Sequence, residues 1–321
     1  MSNKRLLIID GLNMFLRSYI INPTMDPKGE AIGGCIGFLK SLQKCVRDYH
    51  PNEIIIAWDG HGGSQKKRTM NKNYKEGRKP VRFNRRMIKL DPDQEIKNKA
   101  YQQIRTMKYL NELPIIQIII DYVEADDIIS YAVQHTKYKD YDKLIVSSDK
   151  DFYQLVNDKT AIFRPIQKKV ITLDILNEEF GIHPNNFALA RAIAGDPSDN
   201  LKGVPRVGLK TVSKKFTFLS SPVEADIEDI MTHCVDVDKQ LQVHKNILSH
   251  KDLIANNYNI MQLYKPAISG TNKRIIDYSV TNFEYEYNKM NFTKLLFADG
   301  QGSMNFSNLY RVCSDVKNQA S

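Results

Sequence analysis

The sequence Leu-Leu-Ile-Ile-Asp-Gly at residues 6–11 decides the fold, because an apolar run rich in β-branched side chains leads directly into an aspartate. A short run of this kind is typical of a parallel strand that is buried on both faces. Three further runs share the pattern, at residues 54–58, 115–120 and 144–146. We expect the four runs to be strands of one sheet.

Helical patterns separate these predicted strands. Apolar residues recur at helical spacing over residues 36–49 and over residues 95–113, where Ile96, Ala100 and Ile104 begin the second apolar face. Alternating strands and helices predict a doubly wound α/β sheet with right-handed crossovers. Such a sheet binds ligands beyond the carboxyl ends of its strands, where the strand order reverses.

The pattern changes near residue 170, where helices joined by Gly-, Pro- and Asn-containing turns begin. A chain of 321 residues also favours two units. We therefore predict an α/β unit over residues 1–170 and a mainly helical unit over residues 171–321. The final 70 residues give weak periodic signals, and we assign them no function.

The composition is that of an ordinary folded protein. Hydrophobic residues make up 42% of the chain and charged residues 26%, which argues against wholesale disorder. No apolar run is long enough to span a membrane, and no secretion signal is visible. The four cysteines lie far apart in the sequence, as expected of free thiols in a reducing compartment. We expect a cytoplasmic protein, in the host cytoplasm if the source is viral.

The positive charge is concentrated in one segment. The chain carries a formal charge of +9, and residues 66–89 contain eleven basic side chains against the single acid Glu76. A polyanion is the natural partner of such a segment. Tyr74 and Phe83 lie among the charges and favour nucleic acid, because bases can stack on aromatic rings. The alternative interpretation is a solvated lysine-rich loop.

Carboxylates accumulate where the predicted strands end. Asp10, Asp59 and Asp149 follow three of the strands, and parallel strands place their carboxyl ends on one edge of the sheet. Other acids follow closely in the sequence, namely Glu124, Asp126, Asp127, Asp151, Asp196 and Asp199. Each acid taken alone is also explained as a turn residue or a helix cap. Together they predict hard divalent cations, because repelling carboxylates need neutralising and Mg²⁺ prefers oxygen ligands.

A short apolar turn between two glycines lies at residues 203–208, with Lys202 and Lys210 beside it. Glycines allow backbone N–H groups to approach phosphates without interference from side chains. This pattern suits a helix-hairpin-helix element, and the alternative is an ordinary loop between helices.

These motifs, in this order, resemble those of the 5′ nucleases. The resemblance extends over residues 4–215 and rests on six segments: Asp10-Gly-Leu-Asn, Asp59-Gly, Tyr74-Lys-Glu-Gly-Arg78, Glu124-Ala-Asp-Asp127, Ser148-Asp-Lys-Asp151 and Gly195-Asp-Pro-Ser-Asp-Asn200-Leu-Lys-Gly-Val-Pro205. The family includes the 5′ nuclease domain of bacterial DNA polymerase I, flap endonucleases and bacteriophage RNase H proteins. It implies a PIN-like α/β core, a helical arch over about residues 62–92, and a helical helix-hairpin-helix subdomain.

The resemblance also implies roles for individual residues. One metal group would contain Asp10, Asp59, Glu124, Asp126 and Asp149. A second would contain Asp151, Asp196 and Asp199, with Asp127 as a further member. Lys75 and Arg78 would contact the phosphates near the cut. We expect further DNA contacts from Tyr74, Lys79, Arg82, Arg86, Lys202, Gly203, Val204, Arg206, Gly208 and Lys210.

The cofactors implied are two Mg²⁺ ions, for which Mn²⁺ could substitute, and a K⁺ ion on the hairpin carbonyls. Arg206 departs from the family pattern, since a small residue usually stands there, and this departure puts the K⁺ ion in doubt.

We therefore hypothesise that the protein is a metal-dependent 5′-3′ exonuclease and flap endonuclease that acts as a monomer. It resembles the free-standing bacteriophage enzymes more than a polymerase fragment. Its substrates would be DNA with a 5′ flap or free 5′ end, and RNA–DNA hybrids, with replication proteins as partners. One alternative is a catalytically silent protein that binds branched DNA, although every matched acid is present. Another is an RNA-processing PIN nuclease, which would not explain the hairpin pattern.

Overall fold

A central parallel sheet organises the protein, whose computed structural model describes residues 4–77, 82 and 90–320. Within these residues the sheet has six strands in the order β3-β2-β1-β4-β5-β6. The strands are β1 (Arg5–Asp10), β2 (Glu53–Asp59), β3 (Ile116–Ile120), β4 (Asp142–Val146), β5 (Thr160–Arg164) and β6 (Lys169–Ile171). The first five run parallel, and β6 pairs antiparallel with β5. The four predicted strands are confirmed, and β5 and the edge strand β6 are not predicted by the sequence pattern.

Both faces of the sheet are covered at its centre, which is why β1 is apolar from Leu6 to Ile9. Leu6 and Ile8 of β1 enter one hydrophobic cluster, and Leu7 and Ile9 enter the other. All four side chains are fully buried. Successive side chains of a strand point to opposite faces, so a continuous apolar run supplies both layers. The predicted doubly wound α/β class is confirmed.

Helices fill the layers on either side of the sheet. In the described residues they are α1 (Gly11–Ile21), α2 (Gly33–Tyr49), α3 (Gln65–Met70), α4 (Pro92–Leu110), α5 (Ala125–Gln134), α6 (Leu173–Phe180), α7 (Pro184–Ala194), α8 (Leu209–Lys215), α9 (Ile227–Asp236), α10 (Gln242–Leu248), α11 (Lys251–Met261), α12 (Gly270–Thr281), α13 (Lys289–Ala298) and α14 (Ser307–Ala320). A small antiparallel pair, β7 (Gly195–Asp196) and β8 (Leu201–Lys202), follows α7. Among the described helices, none has the length and apolar character needed to cross a membrane.

The strand order reverses beside β1, which pairs with β2 on one side and with β4 on the other. Ile9 of β1 is in register with Val146 of β4, so the chain leaves both strands at the same edge. This is the switch point at which doubly wound sheets bind ligands. Asp10 and Asp149 therefore emerge next to each other.

The expected apolar face of the helix after the basic segment is wrong in its first half, although Leu110 and Leu113 at its end are buried as expected. Ile96 and Ile104 of α4 are 61% and 55% exposed, whereas Asn98 and Gln102 are buried. The physical reason lies at the start of α2, where the cap residue Ile32 has no side chain that can accept a hydrogen bond. The Oε1 atom of Gln102 accepts one from the amide of the α2 residue Gly34 (2.7 Å), which satisfies an otherwise unpaired N–H group. Hydrogen bonding thus outweighs apolar periodicity in orienting α4.

The last helices return to the sheet. Phe292 of α13 and Leu309 of α14 are fully buried in the same hydrophobic cluster as β1 and α2. A buried ion pair adds to this contact, because the guanidinium of Arg105 on α4 donates two hydrogen bonds to Asp299, at 2.8 and 2.7 Å. The carboxyl-terminal residues are therefore part of the core on this face. The boundary near residue 170 stays a prediction.

We expect Asp299→Ala to lower the free energy of unfolding by about 3 kcal/mol, because it removes the ion-pair partner of the partly buried Arg105 and the acceptor of the buried Tyr109 hydroxyl. Chemical denaturation measures this change. Asp140→Ala is the matched control, since Asp140 pairs with Lys159 at the surface and its side chain is 89% exposed. An equally small effect of both substitutions would show that the carboxyl-terminal helices contribute little to the stability of the core.

Candidate active site

Asp10 ends β1 at the centre of the site. Its Oδ1 atom accepts a hydrogen bond from the amide of Asn13 (3.0 Å), which caps α1, and its Oδ2 atom accepts one from the hydroxyl of Ser147 (3.0 Å). Burial, reinforced by the charges of Asp59 and Asp149, raises the pKa of Asp10 to about 7. A buried carboxylate with this environment is suited to a cation, which would stabilise its charged form.

Asp59 and Asp126 lie at the start of α5. The Oδ1 atom of Asp59 accepts a hydrogen bond from the amide of Ala125 (2.8 Å), so the end of β2 is attached to the first turn of the helix. Gly60 permits this approach, because a Cβ atom there would lie 1.8 Å from the carbonyl oxygen of Ile120. Burial and the charge of Asp149 raise the pKa of Asp126 well above its usual range. Asp126 and Asp149 are therefore close enough for the charge of one to change the pKa of the other.

Glu124 is held by two lysines. Its Oε2 atom lies 2.6 Å from Nζ of Lys67, and its Oε1 atom lies 2.5 Å from Nζ of Lys75. Burial opposes ionisation, but the two ammonium groups outweigh it and lower the pKa of Glu124 to about 2. Sequence reasoning missed Lys67, since nothing distinguishes it from the other cations of the basic segment. The structure brings Lys75 to the acidic edge, as the motif implied.

Tyr74 departs from its expected role. Its ring is 2% exposed, and its hydroxyl donates a hydrogen bond to Oε2 of Glu124 (3.2 Å). A ring buried in this way cannot stack on a base. It supports the site from beneath, with Nζ of Lys75 lying 4.9 Å from the centre of the ring.

The second acidic group forms a compact cluster. One carboxylate oxygen from each of Asp151, Asp196 and Asp199 lies within 4.8 Å of the other two. Burial and the charge of Asp149 raise the pKa of Asp151 to about 7. Asp196 behaves differently, because Arg191 and the hydrogen bonds from Ser198 overcome burial and lower its pKa. The set of oxygen donors fits a hard divalent ion.

Asp149 connects the two groups. Its Oδ1 atom accepts a hydrogen bond from the amide of Asp151 (2.9 Å), and its own amide donates to the hydroxyl of Ser147 (3.1 Å). Its negative charge raises the pKa values of Asp10, Asp126 and Asp151. Asp127 points elsewhere, since its Oδ1 atom accepts a hydrogen bond from the amide of Ala267 (3.2 Å). The structure thus assembles the predicted acids except Asp127.

The basic segment is attached to this edge by its backbone. The amide of Lys75 donates a hydrogen bond to the carbonyl of Asp199 (2.9 Å), and the side-chain amide of Asn200 donates to the carbonyl of Asn73 (3.0 Å). Arg82 is exposed, with Nε 3.8 Å from a carboxylate oxygen of Glu95. The expected DNA contacts Arg78, Lys79 and Arg86 lie outside the described residues, together with much of the arch expected over residues 62–92.

The predicted hairpin connects β8 to α8. Lys202, Arg206, Gly208 and Lys210 are exposed along it and available to a ligand. Val204 is only 3% exposed, so its side chain belongs to the core and cannot contact DNA.

Two backbone features shape this hairpin. Gly203 packs against the end of α7, where a Cβ atom would lie 2.1 Å from the carbonyl oxygen of Ala194. Arg206 has a φ angle of +65°, a left-handed conformation that is unfavourable for most residues other than glycine. Strained residues of this kind are concentrated at functional sites.

Comparison with known proteins agrees with this arrangement. The family described as "5′-3′ exonuclease, N-terminal resolvase-like domain" matches residues 5–181. The chain belongs to the 5′-3′ exonuclease family. A 5′-3′ exonuclease of Buchnera aphidicola (subsp. Schizaphis graminum) is 33% identical over 235 residues, which cover 71% of this chain and 76% of that protein. The flap endonuclease Xni of Shewanella woodyi is 30% identical over 209 residues, which cover 65% of this chain and 75% of that protein.

A solved structure shows the same fold. The bacteriophage T5 D15 flap endonuclease, in a complex with DNA and metal ions, superimposes with a TM-score of 0.64 at 18% identity, covering 93% of this chain and all of that one. Family membership confirms a nuclease with the PIN-like fold that the resemblance implied. The alternative of catalytic silence is not favoured, because the relatives are 5′-3′ exonucleases and flap endonucleases. The cluster of three carboxylates is consistent with dependence on a divalent metal.

In the absence of divalent ions, this nuclease should lose stability as the pH rises. The folded-state pKa of Asp10, about 7, lies above its unfolded value of 3.8, so the stability linked to its proton is present below pH 4 and is lost as the pH rises through 7. Asp10→Asn keeps an oxygen acceptor and removes the charge. We expect its Tm in EDTA to exceed that of the parent at pH 8 by about 5 °C, with the difference disappearing toward pH 4.

Thermal melting in EDTA at pH 4 to 8 measures this difference. Asp315→Asn, at an exposed position of α14, is the control and should change Tm equally at every pH. A Tm difference for Asp10→Asn that does not depend on pH would contradict the raised pKa.

Proposed function

We propose that this protein cleaves phosphodiester bonds near the 5′ ends of flapped, nicked or RNA-primed DNA, using two divalent ions. The observation that carries the proposal is the pair of acidic groups at one edge of the sheet, connected through Asp149. Eight predicted acids contribute to that edge, namely Asp10, Asp59, Glu124, Asp126, Asp149, Asp151, Asp196 and Asp199. When bound, two ions supply activation of water and charge stabilisation at the leaving oxygen.

We propose Mg²⁺ as the natural ion, with Mn²⁺ as a substitute. The donors at the site are carboxylate oxygens, which suit both ions. The four cysteines are buried, and burial raises the pKa of each thiol, which disfavours the thiolate that a soft metal would need.

Lys75 is proposed to position the reacting phosphate. Its side chain is 17% exposed and forms an ion pair with Glu124. Its backbone amide donates a hydrogen bond to the carbonyl of Asp199, whose side chain belongs to the second acidic group. An ammonium group held at this point can stabilise negative charge that develops as a phosphodiester is attacked. Arg78 is proposed to assist, following the same family motif.

The exposed cations of the hairpin are proposed to hold the DNA duplex through its phosphates. The carbonyl of Val204 accepts a hydrogen bond from the amide of Val207, and the carbonyl of Pro205 accepts one from the side chain of Asn246. Two carbonyls that a K⁺ ion could use are thus already engaged. The guanidinium of Arg206 better accounts for a positive charge at this position, and a K⁺ ion there stays a weaker proposal.

The remaining expectations concern partners and location. Action as a monomer and association with replication proteins are proposals, and a cytoplasmic location is proposed from the wide spacing of the cysteines. We propose that both DNA and RNA–DNA hybrids are substrates.

The function is tested by single-turnover cleavage of three substrates in Mg²⁺, namely a 5′ flap, a nicked duplex and an RNA-primed duplex. We expect Asp149→Asn to abolish cleavage of all three, because it removes the carboxylate shared by both groups, while flap binding stays within a few-fold of the parent. Asp315→Asn should cleave normally. Near-normal turnover by Asp149→Asn would contradict the metal assignment.

Lys75→Ala should reduce the single-turnover rate at saturating enzyme by tenfold or more, which corresponds to at least about 1.4 kcal/mol of lost transition-state stabilisation. Its effect on equilibrium binding should be small, because the other cations of the segment remain. Lys72→Ala is the matched control, since Lys72 is exposed in the same segment and should leave the rate unchanged. An unchanged rate with weakened binding for Lys75→Ala would show that Lys75 serves only to attract DNA.

A further inference from the structure

A guanidinium group lies inside the second acidic cluster. Arg191, near the end of α7, has its Nη2 atom 2.8 Å from Oδ1 of Asp151 and 2.5 Å from Oδ2 of Asp196. These two acids and Asp199 are the three carboxylates of the cluster. One side chain therefore bridges two of the three groups that would bind an ion.

Arg191 is not a surface cation that happens to reach an acid. The residue is 8% exposed, and its Nε atom is buried without a hydrogen-bond partner in the described parts of the chain. An unpaired buried donor costs free energy, so the side chain is held in place by its carboxylate partners. Arg191 lies on α7, immediately before β7, so the first helix of the hairpin region supplies the positive charge of the cluster.

The charges of the cluster explain how Arg191 affects the binding of a cation. When all three carboxylates are ionised, they and one guanidinium leave two negative charges in the cluster, which a divalent cation would neutralise. The same guanidinium occupies oxygen lone pairs and repels an incoming cation, and at a buried position this repulsion is only weakly screened.

We propose that Arg191 is the resident counter-cation of the Asp151–Asp196–Asp199 cluster and competes with the divalent ion that binds there. The inference rests on the two-ion function proposed above. Arg191 is thus a positioning residue that sets the affinity of one ion, and it keeps the cluster neutralised when that ion leaves. The ion of this cluster is consequently held more weakly than the cluster of carboxylates alone would hold it.

The test is a titration of the full chain with Mn²⁺ in the absence of DNA, with free ion measured by electron paramagnetic resonance. Asp199→Asn identifies the binding class that belongs to the cluster, because it removes one of the ligands. We expect Arg191→Gln to tighten the Kd of this class about tenfold, equivalent to about 1.4 kcal/mol. Arg191→Lys keeps the charge and should stay within a few-fold of the parent.

Lys67→Gln is the matched control. It removes another buried cation from a carboxylate, but that carboxylate is Glu124 in the first group, so the Kd of the cluster should not change. An unchanged or weaker Kd for Arg191→Gln would overturn the inference and leave the two-ion proposal intact. The absence of a Mn²⁺ class that depends on Asp199 in the parent and in both Arg191 variants would overturn the two-ion proposal and this inference together.

Thermal melting provides a second readout if Arg191→Gln is too unstable for titration. Without ions the variant should melt below the parent, because the repelling carboxylates have lost their counter-cation. Mg²⁺ should then raise its Tm by more than it raises that of the parent, because a tighter ion stabilises the folded state more strongly. An equal or smaller rise in Tm would show that Arg191 is a structural residue with no influence on ion affinity.

Discussion

Several carboxylates lie together at the carboxyl edge of a buried parallel sheet, and the surrounding structure must compensate their mutual repulsion. Ionised groups in such a place are costly unless cations or hydrogen bonds compensate them. Three basic side chains supply part of this compensation, and each comes from a different element: Lys67 from α3, Lys75 from the turn that follows, and Arg191 from α7. Because these ion pairs connect elements that are distant along the chain, the acids proposed to bind metal also hold the elements proposed to contact DNA against the edge of the sheet.

The acidic edge could be predicted from the sequence because strand position fixes it. A residue that follows a buried parallel strand must emerge at the carboxyl edge, whatever the helices do, so Asp10 and Asp59 were placed by local pattern alone. The cations that compensate them could not be found in this way. Lys67 and Arg191 look in the sequence like surface residues, and their burial depends on how helices far apart along the chain pack against the edge.

The predictions for the apolar face of α4 and for the ring of Tyr74 show what local sequence patterns cannot reveal. Periodicity assumes that the apolar face of a helix is buried, yet α4 buries Gln102 because the uncapped start of α2 requires a hydrogen-bond acceptor. Similarly, an aromatic residue among cations suggests stacking, yet Tyr74 is covered and bonded to Glu124. In both cases the deciding partner is distant in the sequence, 68 residues away for Gln102 and Gly34 and 50 for Tyr74 and Glu124. Local patterns contain no information about such partners.

The two hydrogen bonds between the Asn73–Lys75 turn and the Asp199–Asn200 turn have a mechanical consequence. Lys75 has a left-handed backbone with a φ angle of +55°, which is unfavourable for a lysine, and Asn200 has one of +58°, which asparagine tolerates. These hydrogen bonds couple a turn that carries Lys75, the residue proposed to position the phosphate, to a turn that carries Asp199, a proposed metal ligand. If the proposed roles hold, a nucleic acid strand that displaces the basic segment would also displace the backbone of Asp199, so that a misplaced substrate would disturb the second acidic group as well.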